Sequence, residues 1–578
     1  MRPPSWSESF LVGTIATAIA LRLQSVLRDV WQIRGLPERV MEWLLLFVPL
    51  DLFERGLQQF GSSAKEVALL GTLLGMALLL LALGVLALRA GWSSWRLLGL
   101  GCVLWLLAMV VVMPLTGAGV FARNLLIAPL LVNAGYLFVF LAYASMLAAG
   151  RLLIRRGPME RARVAAERRA VLAGVVGTLG ALGVARFVGR EGVAVVSSLP
   201  LAAPRTPRPT GAPTSTPTSS AVAVSATAGP TGVPTLSPVQ SAETPAALAL
   251  PVPPAERPLV RNKDGALTAA GRPPGTLAPA LTANMDFYVV TKNAVADPVV
   301  DPAGWRLIVD GEVNNPVQFD YRTLRMLNSI EVIKTLECIS NFTAQCNLAA
   351  FGCDLISTAR WRGVRLSDVL DLAGGLRTTA TTLAFLSIDE FSAGLPVDVV
   401  DDPETLIVYE MNGEPLPREH GYPARLLVPG RYGMKNPKWL TAIRALSTDF
   451  LGWYEQRNWN KDGFIKTMAR IDVPGDGTVL LDGPQRVAGI AYAGDRGIET
   501  VEFSVDGGKS WDEASFVEPA AGKDAMVRWE GSFNLAPQSS LTIVVRATDG
   551  NGDVQSSQFV LPQPDGASGR HAVTVYAA

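Results

Sequence analysis

Three uncharged apolar stretches in the first third of the chain constrain its fold most strongly. Residues 67–88, 97–122 and 124–150 contain no Asp, Glu, Lys or Arg. A helix needs ~20 consecutive apolar residues to cross the hydrocarbon of a bilayer. These stretches therefore predict three transmembrane helices.

Three further segments extend the predicted membrane region over residues 1–190. Residues 170–188 are rich in Gly and Ala and predict another span. Residues 9–21 are apolar but short, so they remain a candidate span. Residues 41–53 are interrupted by charged residues and proline, which favours an interfacial or re-entrant segment. We expect a multi-pass anchor of four to five helices in the cell membrane.

Basic residues predict the orientation of these helices. The loop 151–169 contains seven arginines, and such loops stay in the cytoplasm. A helix at 170–188 then leads out, so we expect the rest of the chain to be extracytoplasmic. Arg168 and Arg169 before that helix resemble a twin-arginine export signal, and ordinary positive-inside topology explains them equally well.

Residues 191–279 differ sharply in composition from the segments on either side. They contain no Phe, Trp or Tyr, and Pro, Thr, Ser and Ala dominate much of the segment. Such a composition buries too little apolar surface to offset the entropy of ordering the chain. We expect a disordered tether between the helices and a soluble head.

The head begins with an α+β pattern. Residues 305–313 alternate like a strand, residues 365–375 have helical spacing followed by glycines, and residues 424–430 predict a short buried strand. The formal net charge is zero, so no nucleic-acid partner is implied. From the residues alone, Cys338 in "TLECISN" has four roles open to it: half-cystine, buried small side chain, nucleophile or metal ligand.

Several motifs occur in order within this part of the chain. They are "WRLIVDGEVNNPVQFDYRTL", "TLECISN", "ARWRGVRLSDVLDLAGG", "HGYPARLLVPGRYGMKNPKW" and "IKTMARIDVP". Together they resemble the molybdopterin-binding domain of the sulfite oxidase family over about residues 280–475. The resemblance implies a Mo-molybdopterin cofactor whose metal is bound by Cys338, in the family's C-x-x-N context with Asn341.

The same resemblance implies the residues that contact the cofactor. These are Cys338, Asn341, Asp389, His420, Arg425, Lys435 and Lys438. A thiolate is a suitable ligand for a metal that the dithiolene of the pterin already binds through sulfur. Cationic side chains suit the phosphate at the end of the pterin.

Residues 476–578 predict a second, all-β domain. "GIETVEFSVDGGKSWDEASF" alternates around a tight hairpin at Asp506-Gly507, and "VVRATDGNGDVQSSQF" predicts another strand–turn–strand. The pattern indicates an immunoglobulin-like sandwich. It resembles the domain that mediates dimers in the sulfite oxidase family, which implies a homodimer.

The sequence departs from the sulfite-oxidising members where they place arginines and a tyrosine near the metal. Val289, Phe342, Thr343 and Trp459 stand at the corresponding places. This predicts a less basic and more apolar pocket, and it leaves the small-molecule substrate open.

An insertion follows the cysteine motif and contains two further cysteines. Cys346 and Cys353 form either a small-loop disulfide or a pair of reduced thiols.

The resulting hypothesis is a membrane-anchored, extracytoplasmic molybdopterin oxidoreductase with two-electron chemistry, including oxygen-atom transfer. The sequence has two histidines, neither of them before His420, and no Cys-x-x-Cys-His motif. We therefore expect electron exchange with a separate partner, such as a cytochrome c or a membrane redox protein. The alternatives are a sulfite dehydrogenase with a divergent pocket and a tethered, non-catalytic binding module.

Overall fold

The computed structural model describes most of the helical region and nearly all of the head. The described residues are 4–47, 64–123, 125, 129–154, 250–254, 273, 275–293, 297–346 and 352–578, with the backbone of short strands at 237–238, 260–261 and 267–268. The predicted helix at 170–188 and most of the predicted tether at 191–279 lie outside these residues.

The N-terminal region folds into helices. They are α1 Trp6–Trp31, α2 Leu36–Leu44, α3 Ala64–Arg89, α4 Ser94–Leu107 and α5 Pro129–Ile154. A π-helical turn, Ala108–Val112, and the short helix Met113–Leu115 continue α4. A 3₁₀ turn, Leu45–Phe47, follows α2 in the predicted interfacial segment.

Four of these helical segments are long and apolar enough to cross a membrane. Three of them overlap the uncharged stretches of the sequence, and the fourth is α1, of which residues 9–21 gave only the apolar centre. The helix begins before that stretch because Ser5 and Glu8 form a capping box at its start. Polar Thr17 and Gln24 are buried within the bundle, so they do not end the helix.

The start of α1 lies beside the ends of α3 and α5, at the end of the helical region that is remote from the head. Arg89 at the end of α3 donates to the carbonyl of Pro4 at 2.6 Å. A side chain at Gly150, near the end of α5, would collide with Val12 of α1. At the opposite end, the hydroxyl of Tyr136 donates to the carbonyl of Arg34.

The head begins with an α+β domain. Its strands are β1 Arg306–Gly311, β2 Val317–Asp320, β3 Ser329–Glu337, β4 Ile356–Arg365, β5 Thr382–Ser387, β6 Ser392–Pro396, β7 Leu406–Met411, β8 Glu414–Pro415, β9 Arg425–Leu427 and β10 Leu440–Leu446. Its helices are α6 Tyr321–Met326 and α7 Leu366–Asp371. The predicted strands at 305–313 and 424–430 and the predicted helix after residue 365 are thereby confirmed.

Two sheets enclose the core of this domain. One has the order β2-β1-β10-β5-β6, with Ser237–Pro238 beside β2, and the other has the order β8-β7-β4-β3, with β9 paired to β7. The buried aromatic residues Trp361, Trp439 and Phe385 belong to the core between them. This packing brings the end of β3, the start of β9 and the loop before β10 to one side of the domain.

The C-terminal part is rich in β-structure. Its strands are β11 Met468–Val473, β12 Val479–Leu480, β13 Gly483–Tyr492, β14 Ile498–Ser504, β15 Asp512–Glu513, β16 Ser515–Phe516, β17 Val527–Leu535, β18 Ser540–Asp549 and β19 Ala572–Ala577. They form sheets of order β11-β13-β17-β16 and β12-β19-β18-β14-β15 around a core that contains Trp529 and Phe503.

Two predicted turns of this part differ from the structure. β14 pairs with β15, but residues 505–511 connect them, so the hairpin at Asp506-Gly507 is wider than a two-residue turn. The Asp506 carboxylate accepts bonds from the backbone of Lys509 and Ser510, which stabilises the wider loop. After β18, only an isolated bridge from Thr548 to Val554 forms where the second strand was expected.

Candidate functional site

A cleft opens where the loops at the end of β3 and before β10 meet. Its walls come from distant parts of the chain. They include Phe287–Lys292, Cys338, Asp389, His420, Arg425, the segment 436–439 and Tyr454. The cleft therefore contains five of the seven residues that the family resemblance implied.

Cys338 directly follows β3 and faces the cleft. It is buried, 9% exposed, and is not part of a disulfide. Its backbone is fixed on both sides, because its amide donates to Leu355 at 2.9 Å and its carbonyl accepts from Asn341 at 2.8 Å. The thiol is consequently held by a rigid turn, as a metal ligand requires.

Asn341 does not line the cleft. Its amide nitrogen donates to Glu337 at 2.8 Å, and its side-chain oxygen accepts from the backbone amide of Leu355 at 3.0 Å. Asn341 thus ties the turn after β3 to the segment before β4. In this structure the asparagine of the C-x-x-N motif orients Cys338.

Gly421, in the motif H-G-Y-P-A-R, lets Arg425 and Lys438, two candidate cofactor-binding residues, approach each other closely. Gly421 has φ +111, and a side chain there would meet Lys438 at 3.0 Å and Arg425 at 3.2 Å. Glycine permits both the backbone conformation and this close approach. The three basic residues His420, Arg425 and Lys438 consequently converge on the same wall of the cleft.

Arg425 is the first residue of β9 and is 4% exposed. Its guanidinium donates to the carbonyls of His420 at 3.2 Å and Asn436 at 2.9 Å, and it lies over the ring of Trp361. Its Nε is buried without a hydrogen-bond partner among the described residues. Burial lowers the pKa of Arg425 to about 10.

Lys438 and His420 complete this basic wall. The ammonium of Lys438 donates to the carbonyls of Val290 at 3.1 Å and Glu419 at 2.8 Å, and burial lowers its pKa. His420 Nε2 lies 3.3 Å from the carbonyl of Asn284, an acceptor, so Nε2 carries the proton. Burial first, then Lys438 and Arg425, lower the pKa of His420 to about 3, so the ring is neutral.

Lys435 lies outside the cleft lining. Its ammonium donates to the carbonyl of Gly394 at 3.1 Å and forms an ion pair with Glu455. It therefore stabilises the loop Gly433–Lys435 from behind. Only a rearrangement of this ion pair would bring Lys435 to a ligand.

Asp389 is the acidic residue of the cleft, and a lysine accompanies it. Its Oδ1 accepts from the amide of Phe391 at 3.0 Å and its Oδ2 from Asn293 at 3.2 Å. Lys292 Nζ lies 3.9 Å from the same Oδ2. Lys292 was not predicted from the sequence, because no motif marks it and only packing brings it to the cleft.

The charges of the cleft fit an anionic group. Within the described parts of the chain, no carboxylate lies within 4 Å of the cationic groups of Arg425 or Lys438. A buried cation without a counter-charge is unfavourable, as the lowered pKa values of both residues indicate. A phosphate-bearing cofactor would supply that counter-charge, while the Cys338 thiol would bind its metal.

The residues that depart from the sulfite-oxidising pattern lie in different places. Val289 lines the cleft, but Phe342 and Thr343 are buried outside its lining. Trp459 packs against Tyr454 with ring centroids 6.0 Å apart, and Tyr454 itself lines the cleft. The sequence assigned the tyrosine position of the family to Trp459 and did not mark Tyr454 as a residue of the cleft.

Tyr288 and Tyr454 lie near Cys338 in the cleft. Burial, followed by the charge of Cys338, holds the pKa of each tyrosine above its usual range. Both phenols are therefore protonated at neutral pH and are able to donate a hydrogen bond toward a bound group.

The structure joins Cys346 to Cys353 in a disulfide with a Cα–Cα distance of 5.2 Å. His571 lies beside it, and the three residues have the composition of a metal site. His571 Nδ1 accepts from the amide of Ile471 at 3.1 Å. Burial lowers the pKa of His571 to about 4, so the ring is neutral, and the amide of Ile471 at Nδ1 places its proton on Nε2. Both cysteine sulfurs are joined in the disulfide, so they are not thiolate ligands in this structure.

Two family models match the head. Residues 294–454 match the oxidoreductase molybdopterin binding domain, and residues 468–561 match the Mo-co oxidoreductase dimerisation domain. The two matches follow each other in the order that the sequence motifs predicted.

Similar proteins include sulfite oxidases. Mitochondrial sulfite oxidase of Rattus norvegicus is 30% identical over 345 residues, which cover 52% of this chain and 62% of the rat protein. Sulfite oxidase of Arabidopsis thaliana is 29% identical over 45% of this chain and 78% of the plant protein. The chain thus spans less than two thirds of the rat protein. Among solved structures, the sulfane dehydrogenase SoxCD of Paracoccus pantotrophus matches 50% of this chain and 79% of its own at 24% identity and a TM-score of 0.44.

The domain order, these relatives and the cleft agree on one cofactor and one class of enzyme. The matched domain binds Mo-molybdopterin, and an oxidoreductase of sulfite oxidase type accounts for the alignments better than a non-catalytic binding module does. Over residues 294–561 the chain has the two domains of the sulfite oxidase family of molybdopterin-dependent oxidoreductases.

Proposed function

We propose that the protein is a membrane-anchored, extracytoplasmic oxidoreductase that performs two-electron chemistry on a small molecule in the cleft at Cys338. One observation carries this proposal: a rigidly held thiol shares a cleft with Arg425 and Lys438, whose charges no described carboxylate neutralises. Such an arrangement suits a metal-bearing anion better than it suits a neutral ligand.

The bound cofactor supplies the two-electron redox chemistry, including oxygen-atom transfer. The chain supplies the positions and the protons. Cys338 holds the metal, Arg425 and Lys438 neutralise the pterin phosphate, and neutral His420 accepts a hydrogen bond at Nδ1. The phenols of Tyr288 and Tyr454 donate hydrogen bonds to the substrate, and the apolar Val289 limits its size.

The arrangement of the helices supports an extracytoplasmic head. Arg89 and Arg151 lie at the helix ends remote from the head, and basic residues mark the cytoplasmic side. α5 ends on that side, so the chain has to cross once more before it reaches the head. The sequence offers residues 170–188 for that crossing, and they lie outside the described residues.

Two further features of the proposal concern assembly. The C-terminal sheets, with an immunoglobulin-like arrangement, would join two copies of the chain, since residues 468–561 match a dimerisation domain. Electrons would pass to or from a separate carrier, either a cytochrome c or a membrane redox protein. Support for that carrier comes from the sequence, which contains no motif for a second redox centre.

A sulfite dehydrogenase is the second candidate. The relatives named as sulfite oxidases support it, and so does Lys292, which adds a cation to the cleft where the sequence had predicted a less basic pocket. A dianion such as sulfite is attracted by such a cation.

Metal analysis and a substrate panel test the proposal. The full chain, purified in detergent from a host that makes the cofactor, should contain molybdenum, and Cys338→Ser should lose it. Reduced- and oxidised-dye assays with sulfite, S-oxides, N-oxides and nitrate then identify the substrate class. A wild-type protein without molybdenum, or full molybdenum-dependent turnover in Cys338→Ser, would contradict the assignment.

A further inference from the structure

The helical region and the head meet at a group of buried charges beside the cleft. Arg39, on α2, donates from Nη1 to Oε2 of Glu390 at 2.9 Å. Arg34, just before α2, places its Nη1 3.8 Å from the same oxygen. The side chains of Arg34 and Arg39 are only 11% and 2% exposed. Residues 351 positions apart in the sequence therefore form one enclosed contact.

Glu42 extends this contact from the helices to the cleft. Arg34 donates to both of its carboxylate oxygens, the longer bond being 3.0 Å, and this fixes the orientation of the carboxylate. Oε1 of Glu42 lies 3.9 Å from Nζ of Lys292, which lines the cleft. Burial opposes the ionisation of Glu42, but Lys292 and Arg34 outweigh it and lower the pKa of Glu42 to about 2.

The turn that follows β5 sends adjacent carboxylates to opposite sides. Asp389 faces the cleft, and Glu390 faces Arg34 and Arg39. Glu390 has φ +67, a left-handed conformation that residues other than glycine rarely adopt. The ion pairs with the arginines provide the interaction that maintains this strained turn. Docking of the helices and placement of Asp389 therefore depend on one turn.

Lys292 lies between Glu42 of the helical region and Asp389 of the cleft. Its Nζ is 3.9 Å from Glu42 and 3.9 Å from Asp389, and the residue is 6% exposed. An ammonium held between two carboxylates has a defined position at the wall of the cleft. Without Glu42, the ammonium would have one carboxylate fewer and more freedom to move.

We propose that residues 34–42 support the cleft from outside its lining: they dock the helices on the head through Glu390, and Glu42 positions the ammonium of Lys292 to bind an anionic substrate. Glu42 is a positioning residue, because it contacts Lys292 and does not line the cleft. The choice of an anionic substrate rests on the proposed function, whereas the placement of Lys292 does not.

Acylation of lysines in the cofactor-free full chain tests the placement alone. Lys292 should react slowly with an amine-acylating reagent in the wild type, and about tenfold faster in Glu42→Gln and in Arg39→Gln, because both changes open a protected site. Glu38→Gln is the matched control: Glu38 lies on the same helix but pairs with Arg28. Unchanged acylation of Lys292 in Glu42→Gln would overturn the proposal, whatever the activity of the loaded enzyme.

A double-mutant cycle in the loaded full chain tests the substrate class. With sulfite, Glu42→Gln should change KM about tenfold in the wild-type background and less than about twofold in Lys292→Met, because coupled residues are non-additive. With a neutral S-oxide, KM should not depend on Glu42. Equal effects of Glu42→Gln in both backgrounds, or no effect in either, would refute the role of Lys292. Absence of turnover with every probe would instead refute the proposed function, while the acylation result still stands.

Discussion

Replacement of Arg425 by methionine should stabilise the cofactor-free head and destroy the cofactor site. Burial lowers the pKa of the guanidinium from its ordinary value to about 10, which corresponds to about 3 kcal/mol of unfavourable free energy for the charged form in the folded state. The group is 4% exposed, so solvent screens little of this cost. Methionine has a similar length and no charge, and it removes the cost.

The same replacement also removes two hydrogen bonds. The carbonyls of His420 and Asn436 lose the donors that lie 3.2 and 2.9 Å away in the wild type. At about 1 kcal/mol for each, the loss offsets about 2 kcal/mol of the gain. A net stabilisation of about 1 kcal/mol remains, and it should raise the melting temperature by about 2 °C.

The full chain is produced in a host that cannot make the cofactor, and its thermal unfolding is monitored by near-ultraviolet circular dichroism. Arg444→Met is the matched control, since Arg444 donates to both oxygens of Asp310 at 2.7 and 2.8 Å. That variant should melt several degrees below the wild type. When both proteins come from a host that makes the cofactor, Arg425→Met should melt below the wild type, because only the wild type is stabilised by bound cofactor. If cofactor-free Arg425→Met melted as low as Arg444→Met, the inference of an uncompensated charge would be wrong.

Two other predictions concern the disulfide and the histidine that lies beside it. His571 has a pKa of about 4 in the folded chain against 6.5 in an unfolded chain, because burial disfavours its charged form. The stabilisation that neutral His571 provides is therefore complete above pH 6.5 and is lost as the pH falls through about 4. The free energy of unfolding of the wild type should decline by about 3 kcal/mol over this range, and that of His571→Gln should decline less. The disulfide closes a loop with a sequence separation of 7, so the double variant Cys346→Ser, Cys353→Ser should lose about 2–3 kcal/mol of its free energy of unfolding. A reductant should remove most of the resulting difference in melting temperature between wild type and variant. An equal difference with the reductant present would count against the disulfide.

The ordered motifs predicted the residues of the cleft that local structure positions. Cys338 follows a strand directly, and Gly421 joins Arg425 to Lys438 through a conformation that glycine alone adopts easily. These constraints act over a few residues, so they leave a pattern in the sequence. Asn341 belongs to such a motif as well, but its role in the structure is to hold the turn.

The residues that sequence reasoning missed depend on distant contacts. Lys292 obtains its position from Glu42 and Asp389, and nothing in its own neighbours marks it. Tyr454 reaches the cleft because the chain turns back after it through a 3₁₀ helix, Glu455–Arg457, and a left-handed Asn458. Such reversals have no periodic signal, so the sequence alone did not place Tyr454 in the cleft.

The contact between the helices and the head is weak, and it forms because both belong to one covalent chain. Ion pairs such as Arg39–Glu390 contribute little to association between separate proteins, because each charge loses water when it is buried. Within one chain the partner is always present at a high effective concentration, so a weak contact is populated without a large apolar interface. A protein built this way can place a carboxylate from its helical region, Glu42, next to a lysine that lines the cleft of its head.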